Sequence, residues 1–140
     1  MKRKAKVKKI KKYSKADLNI FKELLLKLKA KLLEQILSVE KEALSKSQKD
    51  ASGDLSGYSI HMADLATDSY DREFSFSRAS VDQKVIYEID EALKRIEDAE
   101  YGLCLACNAP IAKKRLKAVP YAKFCIVCQN AEEDRKKKAQ

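Results

Sequence analysis

The chain has 140 residues, 36% of them charged and 45% hydrophobic, and a formal net charge of +9. That length allows one domain, or a small module with a long extension, and so high a charged fraction leaves little for a broad core. A run of about eighteen apolar residues and the apolar stretch of a secretory signal are both missing, which predicts a cytoplasmic protein without a membrane segment, and three glycines, two prolines and no tryptophan argue against an all-β fold with its many turns.

The charge has one location. Residues 1–15 carry Lys2, Arg3, Lys4, Lys6, Lys8, Lys9, Lys11, Lys12 and Lys15 without an acid, and beyond them 21 basic residues balance 21 acidic ones. Such a block repels itself and has little to bury, so residues 1–15 read as a disordered arm. It serves either as a solvated tail or as a contact to phosphates, with Lys2, Arg3, Lys4, Lys6, Lys8 and Lys9 the candidate nucleic-acid residues.

From Asp17 to about Lys49 the pattern is helical. Ser14 and Asp17 form a candidate capping box, and Leu18, Phe21, Leu25, Leu28, Leu32 and Val39 recur at three- and four-residue steps, interrupted by Gln35. Leu24, Leu33, Ile36 and Leu37 widen the stripe and predict additional packing. The stretch Asp50–Ser59, with Gly53 and Gly57, is the one convincing turn before residue 101. A second helix is predicted from about Asp68 to Glu100, with Val81, Val85, Ile89, Ala92, Ile96 and Ala99 on one face and Tyr101-Gly102 as its C-cap. Residues 16–100 are therefore expected to form an antiparallel coiled-coil hairpin with its tip near 50–68. In the tip segment, Asp64, Asp68 and Asp71 share one helix face and would favour the helix start, His61 has no evident role, and Phe74 and Phe76 are expected to pack.

The four cysteines of the chain are Cys104, Cys107, Cys125 and Cys128. Two C-x-x-C turns separated by seventeen residues supply the soft tetrahedral donor set of one closed structural zinc ion per chain, with no position left open for catalysis. A rubredoxin-like iron site uses the same ligands, and disulfides or a redox dithiol are the remaining alternatives. After residues 101–128, a short C-terminal helix is expected over 129–140, its acids preceding Arg135, Lys136, Lys137 and Lys138 as the helix dipole favours. The fold class predicted is all-α: a long antiparallel coiled-coil hairpin with a small four-cysteine zinc-finger base and a short C-terminal helix.

The run from Tyr101-Gly102-Leu103-Cys104 through Arg115-Leu116-Lys117-Ala118-Val119-Pro120 to Cys125-Ile126-Val127-Cys128 resembles the zinc finger of DksA/TraR-type bacterial transcription factors. The resemblance covers about the last sixty residues closely and implies a non-enzymatic regulator that binds RNA polymerase and inserts its hairpin tip into the secondary channel. It is expected to act as a monomer. The family's tip motif, Asp-x-x-Asp-x-Ala, is similar to the segment from His61 to Ala66, so Asp64 and Ala66 carry over and His61 does not; Asp68 lies one turn further along. Members that respond to guanosine tetraphosphate hold it through basic residues at places that here carry Glu88, Val119 and Gln129. The resemblance thus implies largely alarmone-independent regulation, unless Lys84, Lys117 or Lys123 substitutes. Two other classes stay open from the residues: a DNA-binding protein using the arm with Lys113, Lys114, Arg115 and Lys117, and an enzyme assisting transcript cleavage through tip carboxylates.

Overall fold

The structure, a computed structural model, describes residues 13–52 and 62–140. Four helices account for most of it: α1 (Lys15–Ser52), α2 (Met62–Glu97), α3 (Lys113–Ala118) and α4 (Ile126–Lys138). Among the described residues the only β feature is an isolated bridge between Leu103 and Pro110. The fold class is all-α with a long helix pair, and no described helix is long and apolar enough to cross a membrane.

Helix α1 starts where the capping residues put it. The Asp17 N–H donates to Ser14 Oγ at 3.2 Å, the Ser14 hydroxyl donates to Asp17 Oδ2 at 3.1 Å, and the Leu18 N–H donates to the Ser14 carbonyl at 3.0 Å. One orphan donor of the first turn, the Asp17 N–H, is thereby satisfied, and the Leu18 bond is the first regular bond of the helix. Helix α2 begins at Met62, six residues before the predicted Asp68, because Met-Ala-Asp-Leu-Ala is a run of mostly strong helix formers with Asp64 in the favourable first turn.

Its other end is a Schellman turn. Ala99 has φ 58°, its N–H donates to the Ile96 carbonyl at 3.2 Å and that of Glu100 to the Arg95 carbonyl at 2.9 Å. The predicted C-cap at Tyr101-Gly102 is therefore displaced to Ala99, and Gly102 has a different task. Its φ is 85°, and a Cβ there would collide with the ring of Tyr13.

The chain divides into two compact units, Met1–Lys27 with Glu88–Gln140, and Leu28–Tyr87. In the first, Phe21, Leu25, Ile89, Ala92, Tyr101, Ile111 and Leu116 are buried. Phe21 stands edge-on to Tyr13 at 5.8 Å between centroids and packs against Tyr101 at 5.5 Å. Tyr13 donates its hydroxyl to the Ile111 carbonyl at 2.5 Å, and Lys113 Nζ meets Asp17 Oδ1 at 2.6 Å. Of the residues expected in the arm, Tyr13 and Ser14 are part of the fold and Lys15 opens α1, while Lys2, Arg3, Lys4, Lys6, Lys8 and Lys9 lie outside the described residues. Arg95 is buried too, its Nε and Nη2 donating to the carbonyls of Glu91 and Tyr121 at 3.3 and 3.4 Å, with burial pulling its pKa down.

In the second unit the helices run antiparallel: Gln35 and Val39 share a groove with Arg78 and Asp82, while Val39 and Lys46 share the next with Asp71 and Phe76. Ile36 is its one buried hydrophobic side chain among the described residues, and Leu33 and Leu37 are about half exposed. Of the four residues predicted to pack additionally, Ile36 is buried, whereas Leu24, Leu33 and Leu37 stay 36–54% exposed, because one apolar stripe on each helix is enough to close a two-helix seam.

Candidate functional site

The finger is assembled by two reversals. Its first follows Cys104, where Asn108 takes φ 54° and its N–H donates to the Cys104 carbonyl at 2.8 Å, a left-handed turn that asparagine tolerates better than most residues. The second is the start of α4: Cys125 is its N-cap and Cys128 sits in its first turn, so the helix expected over 129–140 begins earlier, inside the second cysteine pair. Between them α3, which the sequence reading missed, is a single short element anchored by buried Leu116. Tyr101 ties this segment down by donating its hydroxyl to the Pro120 carbonyl at 2.6 Å, and burial raises its pKa.

These reversals bring the four predicted cysteines together. Their sulfurs all lie within 4.8 Å of one another, and Cys107 and Cys125 are 3.8 Å apart. With Zn–S bonds of about 2.3 Å, the edge of a tetrahedron of thiolates is about 3.8 Å, so the donor set fits one ion. Electrostatics agrees. Burial opposes ionisation of Cys104, yet backbone N–H groups of Cys125, Cys107 and Ala106 aimed at its sulfur bring its pKa down to about 6. The Cys107 thiol is held up by the Cys104 and Cys125 sulfurs against the pull of the Ala109 N–H, and Cys128 is pushed up to about 12 by Cys125 and Cys107. The clustered sulfurs thus oppose ionisation at Cys107 and Cys128, a repulsion that a bound divalent cation would offset.

Residues 99–134 match the family model described as the prokaryotic dksA/traR C4-type zinc finger. The chain is 33% identical over 121 residues to the RNA polymerase-binding transcription factor DksA of Caulobacter vibrioides, spanning 86% of this chain and 79% of that protein. The chain belongs to the DksA/TraR family. An uncharacterized protein of Aquifex aeolicus is 34% identical over 113 residues, covering 80% and 77% of the two chains. The solved structure of transcription factor DksA2 from Pseudomonas aeruginosa superimposes with a TM-score of 0.68 at 27% identity, covering 89% of this chain and 88% of that one. Cys104, Cys107, Cys125 and Cys128 accordingly form the structural zinc site of a DksA/TraR finger, where the ion cross-links the two turns and offsets thiolate charge.

The remaining predicted residues fall in two places. Asp64, Ala66 and Asp68 are exposed near the start of α2, and His61 lies outside the described residues. Nearby, Phe74 and Phe76 are 59% and 49% exposed. The expectation that they pack is overturned at Phe74, which faces solvent, whereas Phe76 is half exposed at the rim of the groove that it lines with Val39 and Ser75. In the other unit Glu88, Val119 and Gln129 line one cleft of about 490 Å³ with Lys123 and Arg115. Lys123 Nζ is bonded to Glu88 Oε1 at 2.6 Å and Arg115 Nε donates to the Phe124 carbonyl at 3.1 Å.

Proposed function

We propose that this protein is a regulator of transcription initiation that binds RNA polymerase directly and presents the start of α2 to the enzyme's interior through the secondary channel. The observation that carries this reading is the combination of family membership with Asp64 and Ala66 at an exposed helix start. A carboxylate there can perturb charged groups or metal coordination of the polymerase without catalysing a reaction itself. Exposed Leu65, Tyr70 and Phe74 beside it suit a protein partner, since aromatic side chains supply large contact area. Zinc holds the finger, and Tyr13, Asp17 and Arg95 fix the finger to the first turns of α1 and the last turns of α2.

The DNA-binding alternative is less favoured. Lys113 is engaged by Asp17 and Arg115 by a carbonyl, so two of the four finger cations proposed for phosphate contact are committed within the protein. Capture of purified RNA polymerase, compared with binding to naked DNA at two salt concentrations, tests the reading. Polymerase capture that persists at the higher salt supports it, and DNA binding without polymerase capture contradicts it.

Regulation is further proposed to be largely independent of guanosine tetraphosphate. Glu88 would repel a phosphate, Val119 and Gln129 cannot pair with one, and Lys123, the nearest substitute, is already paired with Glu88. Titrating the alarmone into transcription reactions, with a polymerase whose other alarmone site is disabled, should leave the factor's effect within about twofold. Strong synergy would contradict this.

A further inference from the structure

Where α1 begins and α2 ends, a groove of about 490 Å³ is lined by Tyr13 and Leu18 on the α1 side and by Ile96, Ala99 and Tyr101 on the α2 side. All of these residues belong to the same compact unit. Tyr13 and Leu18 hold the two positions of a hydrophobic staple, the residue before the Ser14 cap and the fourth of the helix. Leu18 and Ile96 are nevertheless only half-buried, and Ala99 is exposed. Neither the zinc site nor the start of α2 uses this groove, and its volume is within the range of sites that bury apolar groups.

Position and charge indicate what fills it. Residues 1–12 lie outside the described residues and join the fold at Tyr13, which is itself part of the groove wall. Ile10, three positions before Tyr13, is the nearest aliphatic residue of that segment. A chain spans at most about 3.5 Å per residue, so Ile10 stays within about 10 Å of Tyr13. The segment also carries eight cations and no acid. Next to the lining residues Ile96 and Ala99 stand Glu97, Asp98 and Glu100, all exposed and none with an ion-pair partner among the described residues. Lys15 is the one cation among the lining residues, and Lys94 is engaged with Glu91 at 3.7 Å. An apolar groove beside unpaired acids complements a lysine-rich segment with an aliphatic residue in it. A segment tethered at the groove also outcompetes one from a second copy, since its effective concentration is about millimolar.

We propose that the groove is a docking site for the chain's own N-terminal segment, with Ile10 seated between Leu18 and Ile96 and the neighbouring lysines paired with Glu97, Asp98 and Glu100. The docked segment shields the apolar side chains at the junction of α1 and α2, whether or not the chain binds polymerase. Its test is made on the zinc-loaded full chain by methyl NMR and by limited digestion with trypsin. Nuclear Overhauser effects are expected from the Ile10 methyls to those of Leu18, Ile96 or Ala99. Trypsin should cleave after Lys11 and Lys12 about tenfold faster in Ile10→Ser than in the wild type, because cleavage follows the population of the undocked segment. Asp98→Lys/Glu100→Lys should speed cleavage several-fold at low salt and less at high salt, since that part of the contact is ionic. Zinc content and circular dichroism report folding, and each substitution lies at an exposed position or outside the described residues. Absence of these Overhauser effects, or equal cleavage rates in the wild type and Ile10→Ser, overturns the proposal. Overhauser effects found only between differently labelled chains in a mixed sample also overturn it, by assigning the groove to the segment of a second copy.

Discussion

The two units of this chain spend their apolar residues differently. Around the finger, a short stretch of α1 and the last turns of α2 close over Phe21, Leu25, Ile89 and Leu116, all within 1% of complete burial. Between Leu28 and Tyr87 the helices close a thin seam, and Leu33, Leu37, Tyr70 and Phe74 stand 43–68% exposed. Stability is thus concentrated where the metal is, and the other unit leaves side chains available to a partner. The difference teaches that in so highly charged a chain a metal centre can stand in for a broad core.

The largest effect should follow from removing a ligand. Cys104→Ser or Cys125→Ser should lose zinc and unfold the finger while much of the far-ultraviolet helix signal remains, because structural zinc contributes folding free energy directly. Elemental analysis with circular dichroism checks it. A variant that keeps a full equivalent of zinc would break the contrast between the units.

Next come paired truncations along α1. Leu25→Ala should cost about 3 kcal/mol, since it opens a cavity in a closed core, whereas Leu33→Ala should change stability by no more than about 0.5 kcal/mol. Denaturant titration of both variants measures the difference, and equal costs would show that the leucine exposure pattern does not report energetics.

A smaller effect, of opposite sign, is expected at the end of α2. Ala99 holds φ 58°, which a side chain tolerates at a cost of about 1 kcal/mol. Ala99→Gly should therefore stabilise the protein by somewhat less than that, about 0.5 kcal/mol after the entropy glycine loses on folding. A lower melting temperature would contradict the left-handed assignment.

Much of this was legible from local chemistry. The cysteine spacing identified the metal ligands because two C-x-x-C turns leave few alternatives, and Ser14-Asp17 marked the start of α1 through its own hydrogen bonds. What escaped the sequence depends on distant neighbours. Gly102 read as a helix cap, but its lack of a side chain serves the ring of Tyr13, 89 positions earlier in the chain. Arg95 gave no sign of burial, since its partners are carbonyls of Glu91 and Tyr121 rather than an acid. Phe74 and Phe76 read as packing residues because periodicity reports that a residue is apolar and cannot tell whether its own face is covered. Ile126 and Val127 were absorbed into the cysteine motif, and their exposure became visible only once α4 was seen to begin between the ligands.

The division of labour between a zinc-held base and an exposed helix start is tested most directly by one charge. Asp64→Asn keeps the shape of the side chain and removes its carboxylate, at an exposed position where fold and zinc content should not change. Affinity for RNA polymerase and the effect on initiation in vitro would be measured side by side on the same preparation. We expect wild-type affinity with the transcriptional effect lost. Wild-type activity at matched binding would contradict the assignment and leave Asp64 as an acid that favours the start of α2.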